Sequence, residues 1–243
     1  MIHYLQAVVL GCLAASLTAP VSAEIIEEIV VSASRVQDSP PGQRLLRRGD
    51  NLLLRVLITN DAREEDQRES EIHATLLAAI KQAARNRNVE LSLVTDSGFV
   101  IPLSASNHRV QLASGVRPDT SQTNFRVKAA IPDNADGEAL VASLKRFVAE
   151  LTMTGRTLVE VDTDVEVSIV NPEQYRGAIL DLFAADVRAV KAALGDDYRV
   201  VVTGLDQPVR WARQGSLNVS VFIPYEYIVV PSTISSIIAP MDY

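Results

Sequence analysis

Residues 171–195 read NPEQYRGAILDLFAADVRAVKAALG and carry the clearest helix signal in the chain. Asn171 suits the cap of the amino end, Pro172 the first helical position, and Gln174 the partner position of a capping box. Gly195 suits the residue at which the helix stops. Apolar residues recur every three or four positions, which predicts one apolar stripe that needs a sheet to cover. The stripe consists of Ile179, Leu182, Phe183, Val187, Val190 and Leu194.

Strand patterns lie on both sides of this helix, at 157–170 before it and at 198–203 and 216–230 after it. The alternation in 157–170 predicts an inward face made of Val159, Val161, Val165, Val167 and Ile169. Further toward the amino end, the pattern predicts strands at 52–59, 89–95 and 124–131 and helices at 66–87 and 137–152. This order predicts an α+β fold of antiparallel sheets with helices packed on one face, and suggests two duplicated strand-helix-strand units.

The composition excludes several classes of protein. A chain of 243 residues with 47% hydrophobic residues suits one large or two small globular domains. The net charge of -7 argues against a nucleic-acid partner, because no basic face is available to displace counterions from phosphates. With 5% aromatic residues, platforms for base stacking are not expected either.

The first 23 residues have the pattern of a signal peptide. Residues 7–19 are apolar and uncharged, and Val21-Ser22-Ala23 fits the small-x-small cleavage rule. We therefore expect cleavage after Ala23 and a protein of the periplasm, in some cases associated with the outer membrane. No later run reaches the ~20 apolar residues of a transmembrane helix. The expected organisation is a signal peptide (1–23), an extended arm (24–50), an α+β domain (51–231) and a C-terminal tail (232–243).

Cys12, the only cysteine, lies within the signal peptide. Val9-Leu10-Gly11-Cys12 has some likeness to a lipoprotein box, but the apolar run continues beyond it, which favours an ordinary residue of the leader. Cleavage would leave no thiol, which excludes disulfides, cysteine catalysis and thiolate metal sites.

Four carboxylates occupy alternate positions of the strand at 157–170: Glu160, Asp162, Asp164 and Glu166. Their period places them on one face, about 7 Å apart between neighbours. A flat strand cannot wrap its ligands around a hard cation, which argues against a metal site. We instead expect the carboxylates to pair across strands with Arg126 and Lys128, which alternate outward in the same way.

The sequence offers no grouping for catalysis. His73 and His108 are the only histidines beyond the leader, and neither has the spacing of a metal pair. No nucleophile elbow, SxxK motif or phosphate-binding glycine loop occurs. We therefore expect no enzyme activity, no metal and no cofactor. The alternative of an enzyme requires a fold that brings His73 or His108 into a cleft beside a carboxylate and a hydroxyl.

The only tryptophan stands in Arg210-Trp211-Ala212-Arg213, within a region bounded by proline and glycine that we expect to be a loop between strands. An amphipathic ring with cations beside it suits contact with a partner, a glycan or a headgroup surface. The alternative is that Trp211 packs into its own domain. Arg210, Trp211 and Arg213 are therefore candidate partner-binding residues.

From Leu52 onward, three stretches resemble the SIMPL-domain family of exported bacterial proteins. They are GEALVASLKRFVAELTMTGRTLVEVDTDVEVSI (137–169), YRGAILDLFAADVRAVKAALG (175–195) and GSLNVSVFIPYEYIVV (215–230). The chain differs from the family at residues 123–125, which read Thr-Asn-Phe where a Gly-Tyr pair is usual. The resemblance implies a periplasmic or envelope-associated α+β protein without established enzyme activity. It also implies ring-like homo-oligomers or a role in oxidative-stress tolerance, as in some members.

Residues 27–35, EEIVVSASR, resemble a TonB box, the segment of outer-membrane receptors that adds a strand to the energy-coupling protein TonB. A short β-prone run in an arm suits such strand addition. The alternatives are a linker or a first edge strand. The candidate contact residues are Glu27, Glu28, Ile29, Val30 and Val31.

The sequence as a whole predicts an exported, non-enzymatic envelope protein that acts by binding and oligomeric assembly. The alternative is an accessory protein of TonB-dependent transport.

Overall fold

The computed structural model describes residues 27–31 and 43–234. Its helices are α1 (Glu65–Ala83), α2 (Gly137–Ala149) and α3 (Arg176–Leu194), with a 3-10 turn (Pro172–Tyr175) before α3. Its strands are β1 (Glu28–Val31), β2 (Leu45–Arg48), β3 (Asn51–Asn60), β4 (Glu90–Val94), β5 (Val100–Pro102), β6 (Ala113–Ser114), β7 (Ser121–Ala130), β8 (Thr157–Val170), β9 (Tyr198–Thr203), β10 (Arg210–Gln214), β11 (Asn218–Phe222) and β12 (Glu226–Pro231).

The predicted α+β class is confirmed, because antiparallel sheets combine with three helices in the described residues. The predicted duplication of strand-helix-strand units stays a prediction. The expected signal peptide, Cys12 and the residues from 235 onward lie outside the described residues.

Sheet A contains seven strands and is nearly barrel-shaped. Its order is β1-β8-β3-β7-β4-β5, and β6 pairs with β7. The two ends of the sheet meet, because Ile29 of β1 forms a bridge with Phe99, just before β5. The Val30 N–H also donates to the Gly98 carbonyl at 3.0 Å. Strand β1 therefore closes the sheet.

The main core lies between sheet A, the helices α1 and α2, and sheet B, which has the order β10-β11-β2. The predicted inward face of β8 is confirmed: Val167 and Ile169 are fully buried, and the three valines before them pack partly buried against the core. A register shift opposite Leu54 and Val56 of β3 interrupts the pairing with β8.

The start of α3 differs from the prediction. Asn171 has a left-handed backbone (φ 46°) and its side chain caps nothing, so the α-helix begins only at Arg176. Two hydrogen bonds explain the difference. The Asn171 N–H donates to the Glu27 carbonyl at 2.6 Å, and Gln174 Nε2 donates to the Val170 carbonyl at 2.7 Å. Gly195 (φ 79°) follows the last helical residue as predicted.

The third layer is a two-stranded sheet of β9 and β12, here called the ribbon. The predicted strand at 216–230 is wrong in its extent, because it divides into β11 and β12 in different sheets. Pro224 lies at the division and has no N–H to continue a ladder. Helix α3 contacts the ribbon and sheet B. Of its predicted stripe, Ile179 and Phe183 are buried and Leu194 is exposed.

Candidate functional site

The segment that resembles a TonB box is a strand within sheet A. Glu28 to Val31 pair antiparallel with residues 167–170 of β8, and Ile29 and Val30 are buried. Glu27 precedes the strand and is exposed. Within the expected arm (24–50), β1 and β2 both belong to sheets. The alternative of a first edge strand describes what the structure contains.

Glu28 anchors β1 through three side chains. Its Oε2 lies 2.8 Å from Lys128 Nζ, and its Oε1 accepts from Ser168 Oγ at 2.6 Å and from Asn51 Nδ2 at 2.8 Å. Lys128 also contacts Glu90 at 2.9 Å. Burial opposes the charge of Lys128, but the hydrogen bonds to Glu28 and Glu90 outweigh it and raise the pKa of Lys128. The strand is thus held by charge as well as by apolar contact.

The predicted row of cross-strand ion pairs forms only in part. Arg126 binds Glu166 with two hydrogen bonds, at 2.6 and 3.0 Å, across the intervening strand β3. Lys128 pairs with Glu28 and Glu90 and with none of the four carboxylates of β8. Asp162 and Asp164 lie where the register with β3 shifts, which removes them from the regular face.

Trp211 lies on a strand and not in a loop as expected. In β10 it pairs with Val221 of β11, and its indole packs partly buried against the core. Arg213 projects to the same face, and its guanidinium donates to the carbonyls of Val165 and Gly215. Arg210 is exposed, and no described residue is an ion-pair or hydrogen-bond partner of its side chain. Trp211 thus combines the two alternatives, packing on its own domain while keeping one side accessible.

The fold brings the two groups of candidate residues together. Glu27, at the start of β1, and Arg210 and Trp211, on β10, line one cavity of about 380 Å³, here called the Trp211 cavity. The described residues that line it are Glu27, Pro172, Glu173, Pro208, Val209, Arg210 and Trp211. The hydrogen bond from Asn171 to Glu27 holds the 3-10 turn beside β1 and so forms one wall.

Glu173, in the same 3-10 turn, connects this wall of the cavity to Val209, the residue before β10. One carboxylate oxygen accepts from the Val209 N–H at 2.7 Å, and the other accepts from Arg176 Nε at 2.8 Å. Arg176 in turn donates to the carbonyls of Leu205 and Gln207. The hydrogen bond from Arg176 is the main cause that lowers the pKa of Glu173. Sequence reasoning placed Glu173 only in a helix and gave no signal for this role.

A second cavity, also about 380 Å³, contains both histidines and is here called the histidine cleft. The rings of His73 and His108 lie 6.2 Å apart in a T-shaped arrangement. His73 Nδ1 lies 3.7 Å from Glu69 Oε1, and Ser70 lines the same cleft. The residue types named above for an enzyme are therefore gathered in one place.

The connections that catalysis requires are absent from the described part of the cleft. His73 Nε2 is engaged with the Val110 carbonyl at 3.1 Å, and His108 Nδ1 with the Ala105 carbonyl at 2.8 Å. Ser70 Oγ forms no hydrogen bond with either ring in the described residues, so no nucleophile is joined to a base. The absence of enzyme activity stays a prediction, because such hydrogen bonds often tighten only when substrate binds.

Within residues 27–31 and 43–234, no group of three or more histidine, cysteine or acidic side chains is arranged to hold a metal. None of the described helices is both long enough and apolar enough to span a bilayer. Comparisons with protein families, with curated proteins and with solved structures found no match to this chain. The SIMPL and TonB-box resemblances therefore stay predictions.

Proposed function

We propose that this chain is an exported, non-enzymatic envelope protein that acts by binding and by assembly with further copies of itself. The expected signal peptide, cleaved after Ala23, supports a periplasmic location, and the SIMPL resemblance supports a role in envelope stress tolerance. The observation that carries the proposal is the ribbon of β9 and β12, whose apolar side chains are largely uncovered by the described residues.

Apolar pairs lie on both faces of the ribbon. The register places Val200 opposite Val229 on one face and Val201 opposite Ile228 on the other. One helix, α3, packs beside the ribbon, and large apolar side chains remain exposed. They are Leu194, Tyr198, Tyr227, Ile228 and Val229, with exposed fractions of 37–54%. An exposed apolar patch of this kind is typical of a surface that contacts another protein.

The ribbon also has two edges without a strand partner in the described residues. A two-stranded sheet is marginally stable in water, and its unpaired backbone groups favour the addition of further strands. Pairing of β12 with β12 of a second copy would close a dimer. Pairing of β9 with β12 of the next copy would instead generate a ring if the rotation between copies closes, and a filament if it does not.

Light scattering after size-exclusion chromatography, over a range of protein concentrations, tests this proposal. We expect a mass above that of the monomer. Ile228→Lys is expected to weaken association by at least about tenfold, because it removes the burial of one large apolar side chain and places a charge at the interface.

Leu158→Lys is the matched control, since Leu158 is equally exposed (58%, against 54% for Ile228) but lies on β8, away from the ribbon. We expect it to associate like the unmodified protein. A chain that stays monomeric at high concentration would contradict assembly. If Ile228→Lys and Leu158→Lys weaken association equally, a surface other than the ribbon is responsible.

The alternative of a contact with TonB has a structural requirement. Strand β1 pairs with β8 and is anchored by Glu28, so strand addition to TonB requires β1 to leave sheet A. Burial of Ile29 and Val30 opposes that release. The TonB contact stays a prediction that rests on the sequence resemblance.

A further inference from the structure

The Trp211 cavity has the features of a small ligand site. We propose that it binds an uncharged sugar ring of a glycan, which stacks on the indole of Trp211. This inference rests on the proposed binding role but not on assembly, because the cavity and the ribbon are formed by different strands.

The indole is a preorganised platform. Trp211 is fixed by its strand and by packing against the core, so little conformational freedom remains to be lost when a ligand binds. No described residue accepts a hydrogen bond from its indole N–H. Pro172 and Pro208 add rigid apolar walls. The C–H face of a sugar ring matches such a flat apolar surface, while its hydroxyls need polar partners.

Those polar partners line the same cavity. Glu27 and Arg210 carry opposite charges, and no described residue forms an ion pair with either of them. Glu173 is already engaged with Arg176 and the Val209 N–H. The available charges therefore sum to zero, which favours an uncharged ligand over a cation or an anion. A carboxylate accepts hydrogen bonds and a guanidinium donates them. Together they can bind sugar hydroxyls both as donors and as acceptors.

The volume sets the size of the ligand. About 380 Å³ lies near the lower end of ligand cavities, which span about 300–1,000 Å³. One or two sugar rings fit this range, and a longer glycan would extend outside the cavity. Extended proline-rich peptides also dock on aromatic side chains, and they are tested below as the competing ligand.

Trp211 allows a direct measurement because it is the only tryptophan in the chain. We would titrate the purified protein with N-acetylglucosamine and with its β-1,4-linked dimer and trimer, and follow tryptophan fluorescence. We expect a saturable change with at least one of these probes. The trimer should bind at most slightly more tightly than the dimer, because the cavity holds two rings at most.

Variants at the exposed charges separate binding from folding. Glu27→Gln and Arg210→Gln should each weaken binding about tenfold, since each removes charge-assisted hydrogen bonds. Arg188→Gln, at an exposed position of α3, is the matched control and should bind like the unmodified protein. Calorimetry with Trp211→Phe, which has no fluorescence signal, should show weaker binding.

Two results would overturn the proposal. One is the absence of a saturable response to any of the three sugars; the other is saturation by a proline-rich peptide while the sugars have no effect. Light scattering on the same samples distinguishes this failure from a failure of assembly, because loss of sugar binding with intact oligomers would refute only the glycan site.

Discussion

The core face of sheet A and the ribbon are made from the same residue types but differ sharply in burial. Leu54 and Val56 of β3 are completely buried, whereas Ile228 and Val229 of β12 are 54% and 37% exposed. Sheet A is covered by α1, α2 and sheet B, whereas among the described helices α3 packs beside the ribbon. Apolar composition alone therefore does not decide burial. The number of covering layers decides it, and among the described residues the ribbon has fewer of them than sheet A.

The largest expected difference between these regions is in the response to truncation. Leu54→Ala should lower the free energy of unfolding by about 3–5 kcal/mol, because it opens a cavity in a fully buried core. Ile228→Ala in the ribbon should lower it by no more than about 0.5 kcal/mol. Urea unfolding followed by circular dichroism measures both values. Similar losses at low protein concentration would contradict the distinction between the two regions.

An intermediate effect is expected where β1 closes sheet A. Glu28→Ala should cost about 3 kcal/mol of unfolding free energy, because it leaves Lys128 buried with only the exposed Glu90 as a partner. Combining it with Lys128→Met should recover part of this loss. Glu27→Ala, one residue earlier and exposed, is the matched control and should change stability by less than about 0.5 kcal/mol. A double variant that is no more stable than Glu28→Ala would argue against the ion pair.

The smallest effect concerns pH. The amide of Asn60 is the main cause that lowers the pKa of Glu71 below the usual 4.5, with the Arg156 N–H next. A lowered pKa stabilises the fold above about pH 4.5, and this contribution disappears as the pH falls through the folded value. The stability difference between the protein and Glu71→Gln should therefore shrink in acid. Thermal unfolding between pH 3 and 7 measures it, and Glu64→Gln, at the exposed start of α1, is the control.

Patterns that depend on neighbours in sequence predicted the structure well. The alternation of Val159 to Ile169 identified the buried face of β8, and the apolar period identified α3. These patterns are predictive because each one depends only on a single helix or strand and on the core that it faces. The α3 stripe still overestimated burial, since its period cannot reveal that the sheet beside it has only two strands.

Features that depend on distant residues could not be predicted. The start of α3 is set by a hydrogen bond from Asn171 to Glu27, and no local pattern contains that contact. Lys128 forms its ion pair with Glu28 and not with the carboxylates of β8, because closure of sheet A brings β1 within its reach. The Trp211 cavity was missed for the same reason: its two groups of candidate residues are about 180 positions apart in sequence.

The closure of sheet A by β1 has a consequence for biosynthesis. Glu28 must wait for its partner Val170, which leaves the ribosome 142 residues later. Contacts of such long sequence separation form slowly, and the ladder between them cannot exist on a partly made chain. Strand β1 is the first strand of the described residues to be translated, yet it is among the last to pair, and until then sheet A stays open between β8 and β5.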